Sequence, residues 1–262
     1  MNPLEIVART PKSNCGECGY PACLAFAAAV CATGVEPRKC PYIRLEGLVV
    51  EGAGVALEDA SRQRALGLVA HLREKITKAD FSSLAPRIGA VYREPALFFN
   101  YLGQAVELRK EGLLLNGNEP EDPRDQILLY NYAYSGGGRR PGGEWIGMES
   151  MPNSISKVRT LATYSEGPIA KIFGKREPAE VVAGAEQAGG RPFGGSSASL
   201  ALEFAVLPMI PQRVLFWAAE PEDGFPEKAK VLYDRHALDY LDIESLLFSS
   251  ERLAERLVAL LA

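Results

Sequence analysis

Cys15, Cys18 and Cys23 stand within nine residues, and Cys40 follows after a short stretch of helix-forming residues. The chain has only five cysteines in 262 residues, so three in so short a segment are not explained by packing. Thiols this close either ligate a metal or pair as disulfides. A Cys-x-x-Cys pair joined by a glycine-containing turn suits a metal better than two bridges. Spacing alone leaves zinc and an iron–sulfur cluster both open.

Local sequence favours iron–sulfur. Gly16 and Gly19 allow a close backbone wrap, with amides free to point at cluster sulfurs. Pro21 suits the first position of a helix, and Ala22, Leu24, Ala25, Phe26, Ala27, Ala28, Ala29 and Val30 continue it. Gly34 reads as its C-terminal cap. Cys23 then lies in the first helical turn, where the macrodipole favours an anionic centre. Residues 1–45 carry Arg9, Lys12, Arg38, Lys39 and Arg44 against Glu5, Glu17 and Glu36, a formal +2 that offsets such a centre. Structural zinc sites more often use two Cys-x-x-Cys knuckles, and this chain has one.

Residues 13–42, with Asn14, the glycines at 16 and 19, Pro21, Gly34 and the closing Cys40 and Pro41, closely resemble a small four-cysteine 4Fe-4S domain family. That domain occurs in the large subunit of the corrinoid iron–sulfur protein and in one component of the Rnf electron-transport complexes. The resemblance implies that Cys15, Cys18, Cys23 and Cys40 are the ligands of one 4Fe-4S cluster. Cys31 lies eight residues past Cys23, about 12 Å along a helix, too far to share it, and reads as a small buried apolar residue.

These thiols need elements that hold them, and the chain divides into three parts. A cluster-binding module is expected over residues 1–50 and a linking amphipathic helix over 55–80, with Gly52, Ala53 and Gly54 as the flexible joint between them. The helical pattern at 56–78 has an apolar stripe of Ala65, Leu68, Val69, Leu72 and Ile76. An α+β domain follows over 81–262. Residues 97–103, 105–108, 113–115, 202–206, 214–217 and 230–234 read as short strands, and residues 125–134 as a helix. Ser154 and Pro178 begin further helices, and Asp242 and Ser249 read as caps near the end. The fold class expected is α+β: a small helical 4Fe-4S module plus a mixed α/β domain with a predominantly antiparallel sheet.

This second region also has a resemblance. Leu207, Pro208, Pro211, Phe216, Trp217, Phe225, the run 231–234 and Tyr240 with Leu241 look like a domain family of unassigned function that often follows this iron–sulfur motif. In that family an aspartate commonly follows a glycine pair, where this chain has Ser196 after Gly194 and Gly195. The likeness implies an architecture and a setting in anaerobic, corrinoid-linked metabolism, and no reaction.

Other candidate sites have plain readings beside them. The run 136–143, Gly-Gly-Gly-Arg-Arg-Pro-Gly-Gly, could wrap an anion with Arg139 and Arg140, or be a mobile surface loop. The run 189–197 could approach a cofactor, or simply connect a helix to a strand. Glu220, Glu222 and Asp223 read as a solvated acidic turn. Of the only two histidines, His71 reads as solvated or peripheral and His236 as structural or surface, so histidine-based catalysis has little support. Trp145 and Trp217 read as core or groove aromatics.

The formal charge of −4 argues against nucleic-acid binding. No apolar run reaches membrane-spanning length, no signal sequence is visible, and free thiols point to a reducing cytoplasm. The function expected is one-electron transfer to or from a partner or bound cofactor, with a ferredoxin- or flavodoxin-like donor and a corrinoid protein as the candidate partners. A redox enzyme with its active site in the C-terminal domain, and a structural or sensing metal protein, are the alternatives.

Overall fold

An alanine-rich segment such as residues 22–30 has no bulky side chain to hold a neighbour away, so another helix can approach it closely. In the computed structural model, which describes residues 3–33, 35–45 and 53–262, α1 (Pro3–Arg9) packs on α2 (Cys23–Thr33) in this way. Ile6 of α1 and Phe26, Ala27 and Val30 of α2 are fully buried together with Cys18 and Cys40. A short 3-10 turn (Pro37–Lys39) follows, and the Arg44 amide donates to the Arg9 carbonyl at 3.0 Å, tying the end of the segment to α1. Gly34 and Gly52, expected as a cap and as part of a joint, lie outside the described residues. Ala53 and Gly54 belong to α3 (Ala53–Thr77) and are helical, not a loop.

The chain forms two compact units, Met1–Gly67 and Leu68–Ala262. In the second, Val69, Leu72 and Ile76 of the apolar stripe are buried, whereas Leu68 is 44% exposed. Asp80 caps α4 (Phe81–Leu84) by accepting from the Ser82 amide at 3.0 Å. Four antiparallel strands follow in sequential order: β1 (Val91–Arg93), β2 (Ala96–Tyr101), β3 (Gln104–Leu108) and β4 (Leu113–Leu115). The β2–β3 turn places Leu102 and Gly103 at φ 50° and 76°, the paired left-handed conformation that fits the twist of a tight hairpin. A side chain at position 103 would also collide with the Gln187 carbonyl, so glycine is required twice over.

α5 (Pro123–Ser135) has its whole grammar in the sequence. Asp122 accepts from the Arg124 amide, Pro123 occupies the first turn, and Gly136 closes the helix at φ 70°. The second sheet has strand order β5-β9-β8-β7-β6, all antiparallel: β5 (Trp145–Gly147), β6 (Gly190–Pro192), β7 (Leu200–Leu207), β8 (Ile210–Trp217) and β9 (Lys228–Asp234). Strict alternation along β8 buries Ile210, Gln212, Val214 and Phe216. Between β5 and β6 run α6 (Ile155–Leu161), a π-helical stretch (Ala162–Glu166), α7 (Gly167–Phe173) and α8 (Pro178–Gln187). The class is α+β.

α9 (Ile243–Leu261) packs on all of these helices. Asp242 caps it, accepting from the Ser245 amide at 2.9 Å, as the sequence suggests. Ser249 does not start a helix: it is buried in the middle of α9. Its hydroxyl donates to the Leu246 carbonyl and accepts from Gln212 Nε2 at 2.6 Å. A partner across the core, absent from the local sequence, keeps this serine inside the helix.

Arg252 donates two bonds to buried Asp125, at 2.9 and 2.7 Å, and Tyr101 adds a third at 2.8 Å. Burial lowers the affinity of Arg252 for its proton, but the Asp125 carboxylate overcomes this and raises it. Removing Asp125 takes the two-bond partner from Arg252, leaving it Asp122 and the exposed Glu255, and strands the buried Tyr101 hydroxyl without its acceptor. Asp125→Ala should therefore destabilise the second unit by about 3 kcal/mol, measured as a shift in its denaturant midpoint, with unchanged stability as the contrary result.

Candidate metal centre

A chain that must wrap a compact group cannot stay helical or extended. Lys12, Asn14, Gly16 and Gly19 all have positive φ, at 58°, 52°, 77° and 81°. For Lys12 and Asn14 this is an uncommon conformation that the surroundings must enforce. The enforcing contact is visible: the Asn14 side-chain oxygen accepts from the Cys23 amide at 2.8 Å. The Phe26 amide bonds to the Ala22 carbonyl at 3.0 Å, so helical bonding starts at Ala22 and Pro21 lies just outside, not at the first helical position. Asn14 thus satisfies one free amide at the start of α2 from nine residues away.

The same loop turns its backbone toward sulfur. The Cys23 thiol is held below its ordinary pKa, first by the Thr10 hydroxyl and then by the backbone amides of Asn14, Lys12 and Ser13. Thr10 Oγ1 also reaches the Val7 carbonyl at 2.8 Å, and its single proton serves one acceptor at a time. The glycine amides, expected to face the sulfurs, divide differently: that of Gly19 is taken by the Gly16 carbonyl at 2.8 Å. The amides that favour an anionic sulfur belong to residues 12–14.

On the other side, Tyr42 donates to Glu17 at 2.8 Å. Its hydroxyl is pushed up in pKa by that bond first, with the charges of Cys15 and Cys40 adding a small further rise. Lys39 lies over the Tyr20 ring at 5.5 Å. Cys18, Cys23 and Cys40 are only 8%, 9% and 5% exposed, and Cys15 is open to solvent. All five cysteines are free thiols, and Cys31 packs half-buried against the apolar cluster.

Among the described residues, no three Cys, His, Asp or Glu side chains stand together as a closed set of metal ligands. The thiols fit an iron–sulfur group by their chemistry and by the amide cradle around Cys23. Thr10, Asn14 as a cap, and the Tyr42–Glu17 pair escape sequence reasoning. A cap normally precedes its helix by one position, and nothing local signals one nine residues away.

In the second unit the other candidates are committed to structure. Arg139 pairs with Asp239 at 2.8 Å and draws that carboxyl down to about 2. The Gly143 amide donates to buried Asp234 at 2.8 Å, and the His236 ring nitrogen lies 3.2 Å from the Arg140 carbonyl. The run 136–143 is therefore tied down and not a loose loop. A side chain at Gly190 would strike Phe204 at 2.5 Å, so that glycine serves packing between β6 and β7. Arg213 lies between the rings of Trp145 and Phe193, 4.1 Å from each. His71 and the acidic turn at 220–223 are exposed.

Residues 80–256 match the family described as "Domain of unknown function (DUF3786)", and the chain belongs to that family. Residues 11–42 match the family described as "Putative Fe-S cluster". Among curated proteins, the chain is similar to the corrinoid/iron-sulfur protein large subunit of Moorella thermoacetica, 50% identical over 43 residues, which are 16% of this chain and 10% of that protein. It is also similar to the acetyl-CoA decarbonylase/synthase complex subunit gamma of Archaeoglobus fulgidus, 43% identical over 44 residues, 16% of this chain and 9% of that protein. The chain thus spans about a tenth of the length of these relatives. No solved structure matches it significantly. The matches at the cysteine segment support an iron–sulfur protein.

Losing the Asn14 side chain leaves the Cys23 amide without its acceptor and releases the left-handed loop. Asn14→Ala should cost about 1 kcal/mol, the usual worth of a helix cap, measured by denaturation under anaerobic conditions. A loss within error would show that the loop is held by other contacts.

Proposed function

We propose that this DUF3786 member holds one 4Fe-4S cluster on Cys15, Cys18, Cys23 and Cys40 and passes single electrons between a partner protein and a second centre. The observation that carries this reading is the graded exposure of the four thiols: three buried and one, Cys15, at the surface. Burial protects sulfur, while one open edge lets a donor's centre come close. When bound, a 4Fe-4S cluster supplies reversible one-electron chemistry at a potential set by hydrogen bonds to sulfur, charge and solvent exposure.

The chain's own residues have definable tasks. Residues 12–14 aim amides at the Cys23 sulfur and stabilise its anionic form. Asn14 fixes that loop on α2. Phe26, Ala27, Val30 and Ile6 form the apolar floor beneath Cys18 and Cys40. Lys12, Arg38 and Lys39 are exposed and offer a basic rim that suits an acidic ferredoxin- or flavodoxin-like donor.

The identities of the two relatives, a corrinoid/iron-sulfur protein subunit and a subunit of an acetyl-CoA decarbonylase/synthase complex, support a corrinoid-handling assembly as the setting. A reducing, oxygen-poor cytoplasm suits an exposed cluster edge. Among the described residues no helix is long and apolar enough to cross a membrane.

Two measurements test this. Anaerobically purified protein should contain about four iron and four acid-labile sulfide per chain. Alanine at position 15, 18, 23 or 40 should reduce both, while Cys31→Ala should leave them intact. Stoichiometric zinc without sulfide would overturn the cluster. Separately, stopped-flow reduction by an acidic ferredoxin should slow as ionic strength rises, and Lys12→Glu with Lys39→Glu should slow it several-fold. A rate indifferent to both salt and charge would overturn the docking route while leaving the cluster in place.

A further inference from the structure

The last turns of α3 and the end of α5 border a cavity of about 340 Å³ in the second unit, lined by Lys75, Lys78, Asp80, Ser83, Arg87 and Tyr134 among others. It gathers three cations in a chain whose formal charge is −4. The one carboxylate in the lining, Asp80, is engaged as the cap of α4. Among the described residues, neither Lys75 nor Arg87 has an ion-pair partner. Lys78 pairs only with Glu74, at 3.5 Å, with the two side chains 77% and 68% exposed, an arrangement that holds weakly.

Cations near the end of a helix can serve its carbonyls. Here that task is already met by other groups. At the end of α3, where Lys75 and Lys78 stand, the Glu74 carbonyl accepts from Thr77 Oγ1 at 2.6 Å and the Lys75 and Ile76 carbonyls from the Lys78 and Ala79 amides at 3.3 and 3.0 Å. At the end of α5, the Tyr132 carbonyl accepts from Ser135 Oγ at 2.9 Å and the Ala133 carbonyl from the Gly136 amide at 3.3 Å. The Lys75 ammonium lies instead over the Tyr134 ring, at 4.6 Å. The lining sets these three cations against the single charge of Asp80, so positive charge remains in excess and an anion in the cavity relieves the repulsion. The volume falls in the range of small-molecule sites. A planar guanidinium flanked by two ammonium groups matches phosphate oxygens better than a single carboxylate.

We propose that this cavity binds the phosphate or pyrophosphate end of a small organic phosphate, with Arg87 as the bidentate donor and Lys75 and Lys78 as flanking charges. The run 136–143, an anion candidate by composition, contributes only its first residue, Gly136, to the lining, because Arg139 is taken by Asp239.

The test is calorimetric titration of inorganic pyrophosphate into the full chain, with ionic strength held constant by chloride. Saturable one-to-one binding is expected, weakened tenfold or more by Arg87→Gln and about threefold by Lys78→Gln. Lys171→Gln, outside the cavity on α7, should bind as the parent does. If Arg87→Gln fails to fold, the exposed Lys78→Gln decides the matter alone. Heat no greater than with chloride, or binding that ignores the substitutions at 87 and 78, would overturn the proposal.

Discussion

A helix that begins at a cysteine leaves amides without partners beside a sulfur, and in the first unit the Asn14 side chain fills one of those vacancies. The bond from the Cys23 amide to Asn14 Oδ1, 2.8 Å long, fixes the far end of a loop whose backbone is left-handed at four positions between 12 and 19. Once Asn14 is pinned, the amides of residues 12–14 face the Cys23 sulfur, and Cys15 and Cys18 are carried on the turn that follows. That one contact ties the loop leading into Cys15 and Cys18 to the helix that starts at Cys23.

Among the described residues, the core of the first unit consists of a few side chains, chiefly Ile6, Phe26, Ala27 and Val30. Burial on that scale supplies little stability, and small units of this kind commonly rely on a metal to complete the fold. Ligation and folding would then be one event: the cluster would join segments that the apolar residues hold only loosely, and the fold would keep the sulfurs shielded from water.

The second unit rests on a different constraint. Its centre contains polar groups that must find each other because water is excluded. Gln212 of β8, Ser249 and Ser250 of α9, and Tyr233 of β9 form one closed network, with bonds of 2.6 to 3.1 Å. Tyr132 joins another, donating to the Ile88 carbonyl at 2.6 Å and accepting from the Met209 amide at 3.0 Å. Such networks fix the register between helix and sheet as apolar packing alone does not. Burial raises the pKa of both Tyr132 and Tyr233, and the bonds to Met209 and Ser250 offset part of that rise.

Much of this molecule is legible in its sequence where the controlling interaction is local. Asp122, Pro123 and Gly136 bound α5, the alternation along β8 sorts its two faces, and the spacing of Cys15, Cys18 and Cys23 marks the segment that matches an iron–sulfur family. Each depends on neighbours within a few residues, so the pattern and its cause lie in the same stretch of chain. Tertiary structure decided what depends on distant partners. Ser249 stays inside α9 because Gln212 meets it across 37 residues. Gly103 must be glycine because the Gln187 carbonyl closes on it. Arg139 is held by Asp239 from 100 residues away, while Lys75, Lys78 and Arg87 gather around a cavity that no run of charge in the sequence marks. Periodicity and capping act over one or two turns of chain; close approach and buried charge are settled only when segments far apart in sequence are brought into contact.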